Sequence, residues 1–158
     1  MKKIPSIMIV VWGIAVLCTL FLSSCKRPEV LDNSTLVNSA RNVALTFGPA
    51  YVPFFKEANV SDVQVFKKKD YGGDSRPQIR KQIGRKFYTV TFTYDSTAVK
   101  FDFGFAARVR IWKDTGEPLD VIFGNGWGRN FFFLSFKEQT DHSAYDYEKV
   151  ASDSIVKV

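Results

Sequence analysis

The chain reads as an α+β protein, with an N-terminal helix packed on a curved antiparallel sheet of about five strands. Two patterns and one compositional fact point there. Leu36, Ala40, Val43, Ala44 and Phe47 recur at the spacing of one helical face. From Phe87 to Trp112 apolar residues alternate with polar ones, the two-residue period of a strand with one wet face. The chain also carries 15 Phe, 6 Tyr and 3 Trp, side chains that suit a pleated surface and bury large areas. An all-β sandwich with a peripheral helix is the alternative architecture.

Each element has its local reason. Asn33 or Ser34 caps the helix, and Gly48-Pro49 stops it. Tyr51 to Ala58, interrupted by Pro53, reads as a short helical turn or a covering loop. Val63 and Val65 alternate with Asp62 and Gln64, so Ser61 to Lys68 reads as the first strand. A loop with Gly72-Gly73 and Pro77 follows. Tyr88, Val90, Phe92 and Tyr94 then share one face, with Thr89, Thr91 and Thr93 on the other. Asp95-Ser96 supplies turn chemistry. From Val99 to Ile111, Val, Phe, Ala and Ile fill every odd position, which predicts a long hairpin that Gly104 bends or bulges. Asp114-Thr115-Gly116 is the next turn. Leu119 to Phe123 is a strand whose start Pro118 confines to an edge or a first position. Asn130 to Lys137 reads as another strand. Its Phe131-Phe132-Phe133-Leu134 run is apolar on both faces and therefore central or covered. Ile155-Val156 adds a short last strand.

The first residues follow a different logic. Lys2 and Lys3 precede an almost wholly apolar stretch from Ile4 to Leu22, and no Asp or Glu occurs before Glu29. Leu22-Ser23-Ser24-Cys25 closes it: an apolar residue, two small ones, then cysteine. This stretch resembles the signal peptide and lipobox of bacterial lipoproteins. The resemblance implies that residues 1–24 are removed and that the Cys25 sulfur carries a diacylglycerol group. Acyl chains then hold the protein at a bilayer at about 0.8 kcal/mol per buried CH₂. It also implies a tether over 25–34 and a single domain over 35–158. In Gram-negative lipoproteins an Asp beside the cysteine commonly marks inner-membrane retention. Lys26 stands there instead, so the expected place is the outer membrane, facing the periplasm. In its order of elements the mature domain is loosely similar to cystatin-like and NTF2-like lipoprotein domains.

Composition narrows the function. Removing 24 of 158 residues leaves 134, enough for a real core in one domain. The formal charge of +6 falls to +4 without Lys2 and Lys3, too mild an excess for a nucleic-acid binder. Cys18 leaves with the signal and Cys25 is acylated. The mature domain then has neither a disulfide nor a thiol nucleophile. The single histidine, His142, excludes a His-based metal cluster by count. It is the one candidate for a hydrolase, in the polar stretch Thr140-Asp141-His142-Ser143. Glu117 and Asp120 read as surface charges rather than a glycosidase pair. No cofactor is expected.

Two surface stretches carry the binding candidates. Between Lys67 and Lys86 lie Lys67, Lys68, Lys69, Arg80 and Lys81 among further cations. They suit anionic partners such as lipid headgroups, or a solvated loop with edge-protecting lysines. Gly124-Asn125-Gly126-Trp127-Gly128-Arg129 places Trp127 and Arg129 at a loop tip, unless the indole folds back onto the sheet. Trp112 is a third candidate contact. The expectation is a membrane-anchored envelope lipoprotein, not an enzyme, that binds or assembles with an envelope protein. The bilayer itself is a partner through acylated Cys25. The alternative is a carrier holding a lipid or apolar ligand between helix and sheet.

Overall fold

The helical spacing of Leu36, Ala40, Val43, Ala44 and Phe47 is realised as α1 (Asn33–Phe47), with all five side chains buried. The structure is a computed structural model and describes residues 31–141 and 156–157. The cap is Asp32, not Asn33 or Ser34. Its carboxylate accepts from the Thr35 N–H at 2.7 Å and from the Ser34 hydroxyl at 3.0 Å. It also places a negative charge at the positive end of the helix. Gly48 ends α1, its N–H donating to the Ala44 carbonyl at 2.8 Å. A short 3-10 turn then runs over Pro49–Phe54.

Helix and sheet form the expected two layers. The main sheet has six strands, all paired antiparallel: β1 (Ala58–Val60), β2 (Gln64–Val65), β3 (Lys86–Phe92), β5 (Ala107–Trp112), β6 (Pro118–Phe123) and β7 (Gly128–Asn130). They run in the order β1-β3-β5-β6-β7, with β2 also pairing with β3. β4 (Val99–Lys100) and β8 (Val156–Lys157) make a separate two-stranded ladder. β8 is the short closing strand expected near Ile155-Val156. Pro118 takes the first position of a strand, as its missing N–H demands.

Three expected strands are corrected. Ser61 to Lys68 contributes only β2, and β1 comes from the stretch before it. Both pair with β3. Ser61 to Val63 loops between them, with the Ser61 hydroxyl accepting from the Thr89 N–H at 3.0 Å. The alternation around Val63 and Val65 therefore did not report burial, and both are exposed.

The odd-numbered run from Val99 is likewise broken between β4 and β5. The Phe103 N–H turns to the Gly124 carbonyl, and the Ala106 N–H to that of Phe92. Burial still follows the alternation except at Phe103, which is exposed, and at Ala106, which is buried. The bend falls around Gly104. The hairpin partner register is intact, from Phe87↔Trp112 to Phe92↔Ala107.

Asn130 to Lys137 is not a strand. β7 ends at Asn130, and Phe131 and Phe132 wedge into two cores instead of running in the sheet. Phe131 lies 5.5 Å from Phe47 on the helix side. Phe132 lies 4.7 Å from Tyr71 and 5.6 Å from Phe66 on the other. Ser135 then starts α3 (Phe136–Asp141) through a capping box: its N–H donates to the Glu138 carboxylate at 2.7 Å.

The helix-side core is solid. Tyr51 stacks on Phe123 at 4.7 Å, Trp127 stacks on Phe123 at 5.5 Å, and Phe55 stacks on Phe92 at 4.2 Å. A second, smaller core lies on the opposite face: Phe66, Ile79, Phe87, Trp112 and Leu119, with Tyr71 and Phe132 against it. Phe66 and Ile79 come from the basic loop, which is thereby pinned to the sheet through α2 (Pro77–Arg80). A register shift between Arg110 and Ile111 lets the sequence neighbours Leu119 and Asp120 both serve this outer side.

Candidate binding surface

β3, β5 and β6 each send every second side chain away from α1. On the outer face these are Thr89 and Thr91, Arg108 and Arg110, and Asp120 and Ile122. The second core covers one end of that face. The rest is a broad open hollow of about 550 Å³, lined by Ser61, Gln64, Asp70, Thr89, Thr91, Arg108, Arg110 and Ile122. A neighbouring hollow of about 410 Å³ shares Gln64, Asp70 and Arg110 and adds Lys67, Lys69, Val65 and Phe87.

Arg110 stands at the divide. Its Nε donates to both carboxylate oxygens of Asp120, at 2.9 and 3.1 Å, and its Nη2 donates to one of them. Its guanidinium also lies 5.3 Å from the Phe87 ring and 5.9 Å from the Phe66 ring. Burial pushes the Asp120 carboxyl up, against the opposing pull of Arg110. Burial alone would lower the Arg110 guanidinium, but the bonds to Asp120 hold it high. The floor of the hollow is thus a fixed ion pair, and Arg108 is the cation presented to solvent. Arg108 rests 4.2 Å from the Phe105 ring.

The residues singled out from sequence fall in several places. Lys67 and Lys69 line the second hollow, and Lys68 is exposed on the 3-10 turn Lys68–Tyr71 beside it. Arg80 and Lys81 flank Pro77 at a separate shallow depression. None of these five makes an ion pair with a described residue. Trp112 is only 5% exposed and belongs to the second core. Arg85 covers it at 4.0 Å while donating to Asp114 at 2.6 and 3.0 Å. Trp112 therefore meets solvent only as one wall of a cleft of about 390 Å³, with Arg85, Phe132 and Lys137 among the others. Trp127 folds back onto Phe123, on the helix side, and Arg129 lies 5.8 Å from its ring. Gly126, in the left-handed region at φ +84°, lets the chain make that turn. The structure does not bring the two tryptophans together.

Cys25 and His142 lie outside the described residues, as do the signal stretch and most of the tether. Asp120, weighed with Glu117 as an acidic pair, is committed to Arg110. Among the described residues no group of three His, Cys, Asp or Glu is placed to hold a metal ion, and no helix is long and apolar enough to cross a membrane.

In the sequence Thr89, Thr91, Arg108 and Arg110 read only as the wet side of the hairpin, and Ile122 only as part of the strand Leu119 to Phe123. The signal was present. Two arginines at alternate positions face a carboxylate across the Asp114–Gly116 turn, which pairs Arg110 with Asp120. Compared with models of known families, with curated proteins and with solved structures, the chain has no match.

Proposed function

We propose that this chain is a lipid-anchored envelope protein, held by Cys25 in the outer membrane, whose mature domain binds another macromolecule without catalysis. One observation carries the binding part of that reading. One sheet face is sealed by α1, whereas the other is left open as a wide hollow of threonines and arginines around an exposed Ile122. Small-molecule sites enclose most of their ligand in apolar walls. A broad, shallow, polar surface with a half-exposed aliphatic centre and a cation suits the relief of a protein partner. The anchoring part rests on the Leu22-Ser23-Ser24-Cys25 motif. The carrier reading needs room between helix and sheet, and that seam is filled by Phe47, Tyr51, Phe92 and Phe123.

A photocrosslinking residue at Thr91 tests the reading in intact membranes. A discrete protein adduct is expected from Thr91 and not from Leu45, which is exposed on α1 away from the hollow. Equal adducts from both positions, or extractable lipid with no adduct at Thr91, would contradict it.

A further inference from the structure

We propose that the cleft end of the sheet seats directly on an anionic bilayer surface, so that the membrane fixes the orientation of the domain as well as its place. This rests on the lipid-anchor reading and goes beyond it. The first described residue, Leu31, packs against the Asp114–Gly116 turn, its Cδ2 3.4 Å from where a Cβ on Gly116 would stand. Glu117 and Pro118, the next two residues, line the cleft beside Trp112 and Phe132. The chain from the anchor therefore joins the fold at the cleft end. Only five residues separate Cys25 from Leu31, a span of at most about 20 Å when fully extended. An acylated Cys25 keeps this end of the sheet near the headgroups whatever the rest of the domain does.

The side chains at that end fit such a surface. Ile83 follows Gln82 on one wall of the cleft, and Phe133 and Leu134 precede Ser135 on the other. They are 45%, 40% and 48% exposed. Large apolar side chains left in solvent beside one cleft need an apolar partner, and the upper acyl region of a bilayer is one. Cations stand on the same walls: Lys137 lines the cleft, and Arg80 and Lys81 precede Gln82 on it. None of these three makes an ion pair with a described residue. Against them stand Glu117 on the cleft wall, Glu138 next to Lys137, and Asp114, which is paired with Arg85. Arg76 lies 4.0 Å over the Phe133 ring. Apolar tips within a cationic collar match headgroup phosphates above acyl chains. A protein partner at this end would show itself as shielding that needs the native membrane.

The test uses the acylated full chain purified from membranes and returned to vesicles. Once Cys25 is acylated no other thiol remains in the mature chain, so a single introduced cysteine labels cleanly. A fluorophore on Leu134→Cys is compared with one on Phe103→Cys, beside Gly126 at the opposite end of β6. Brominated lipids in phosphatidylglycerol-containing vesicles are expected to quench the first several-fold more than the second. The triple variant Arg80→Glu, Lys81→Glu, Lys137→Glu should remove most of that difference with acylation unchanged. Equal quenching at both positions, or none at Leu134→Cys in demonstrably acylated protein, would overturn the docking alone. Undiminished quenching in pure phosphatidylcholine would overturn its anionic character. Shielding of Leu134→Cys in native membranes but not in vesicles would overturn it in favour of a protein partner. Absence of acyl mass on Cys25 of the unmutated protein would overturn the anchor reading itself, and the docking with it.

Discussion

Arg110 of β5 and Asp120 of β6 lie opposite each other in register and form a bidentate ion pair under the outer face of the sheet. The pair is buried between the second core and the open hollow, so each partner depends on the other for its charge. Asp120→Asn should destabilise the domain by about 3–5 kcal/mol, because it strands a buried guanidinium. The double replacement Arg110→Met with Asp120→Leu should recover most of that loss. Denaturant unfolding of the three variants checks both statements; a double variant no better than the single would show that the pair holds more than charge.

Gly48 is a packing requirement. A Cβ there would stand 2.4 Å from the ring of Phe123, which is itself clamped between Tyr51 and Trp127. Gly48→Ala should cost about 1–3 kcal/mol through overpacking. Thermal melts should register this as a clear drop in Tm, and an unchanged Tm would mean that the ring stack yields easily.

Tyr51 is fully buried, yet its hydroxyl has no hydrogen-bond partner among the described residues. Burial, with a smaller push from Asp102, raises its pKa to about 12. A folded pKa above the unfolded value of about 10 contributes stability that is present below pH ~10 and lost as pH rises toward 12. The unpaired neutral hydroxyl is a separate cost, so Tyr51→Phe should stabilise the domain by about 1 kcal/mol at neutral pH. It should also remove part of the alkaline loss, as stability measured across pH 8 to about 12 would show.

Acid should unfold the domain for the opposite reason. Asp95 beside Lys56, Asp114 and Asp74 beside Arg85 and Arg76, and Asp32 on the Thr35 N–H all titrate below the usual carboxylate range. Their contribution is complete above the unfolded pKa of about 3.9 and is lost as pH falls through the folded values. Asp120 runs the other way, since its carboxyl is raised. Stability should hold down to about pH 5 and decline below ~4. Asp114→Asn, which also releases Arg85 from over Trp112, should flatten that decline and alter the Trp emission.

The helix and the central hairpin were legible because their periods report burial directly. All five predicted α1 positions are buried, and β3 and β5 pair as their alternation requires. The failures share a cause. Phe131 to Leu134 looked like a central strand because it is apolar on both sides; Phe131 and Phe132 instead fill two cores, one on each side of the sheet, and Phe133 and Leu134 lie exposed. The Ser135–Glu138 box marked the change to helix. Phe66 was out of phase with Val63 and Val65 in the expected first strand, and Ile79 stood alone in a cationic stretch, so no period showed that they seal the second core. The outer hollow stayed hidden because its residues are polar by alternation alone. Only the packing shows that no described residue covers them.

Anchor and orientation both depend on what becomes of Cys25. The most direct measurement is the mass of the N-terminal peptide of the protein extracted from membranes. The account predicts a peptide that begins at Cys25 and carries a glyceryl-linked acyl mass. A peptide that begins at Met1, or an unmodified Cys25, would contradict it.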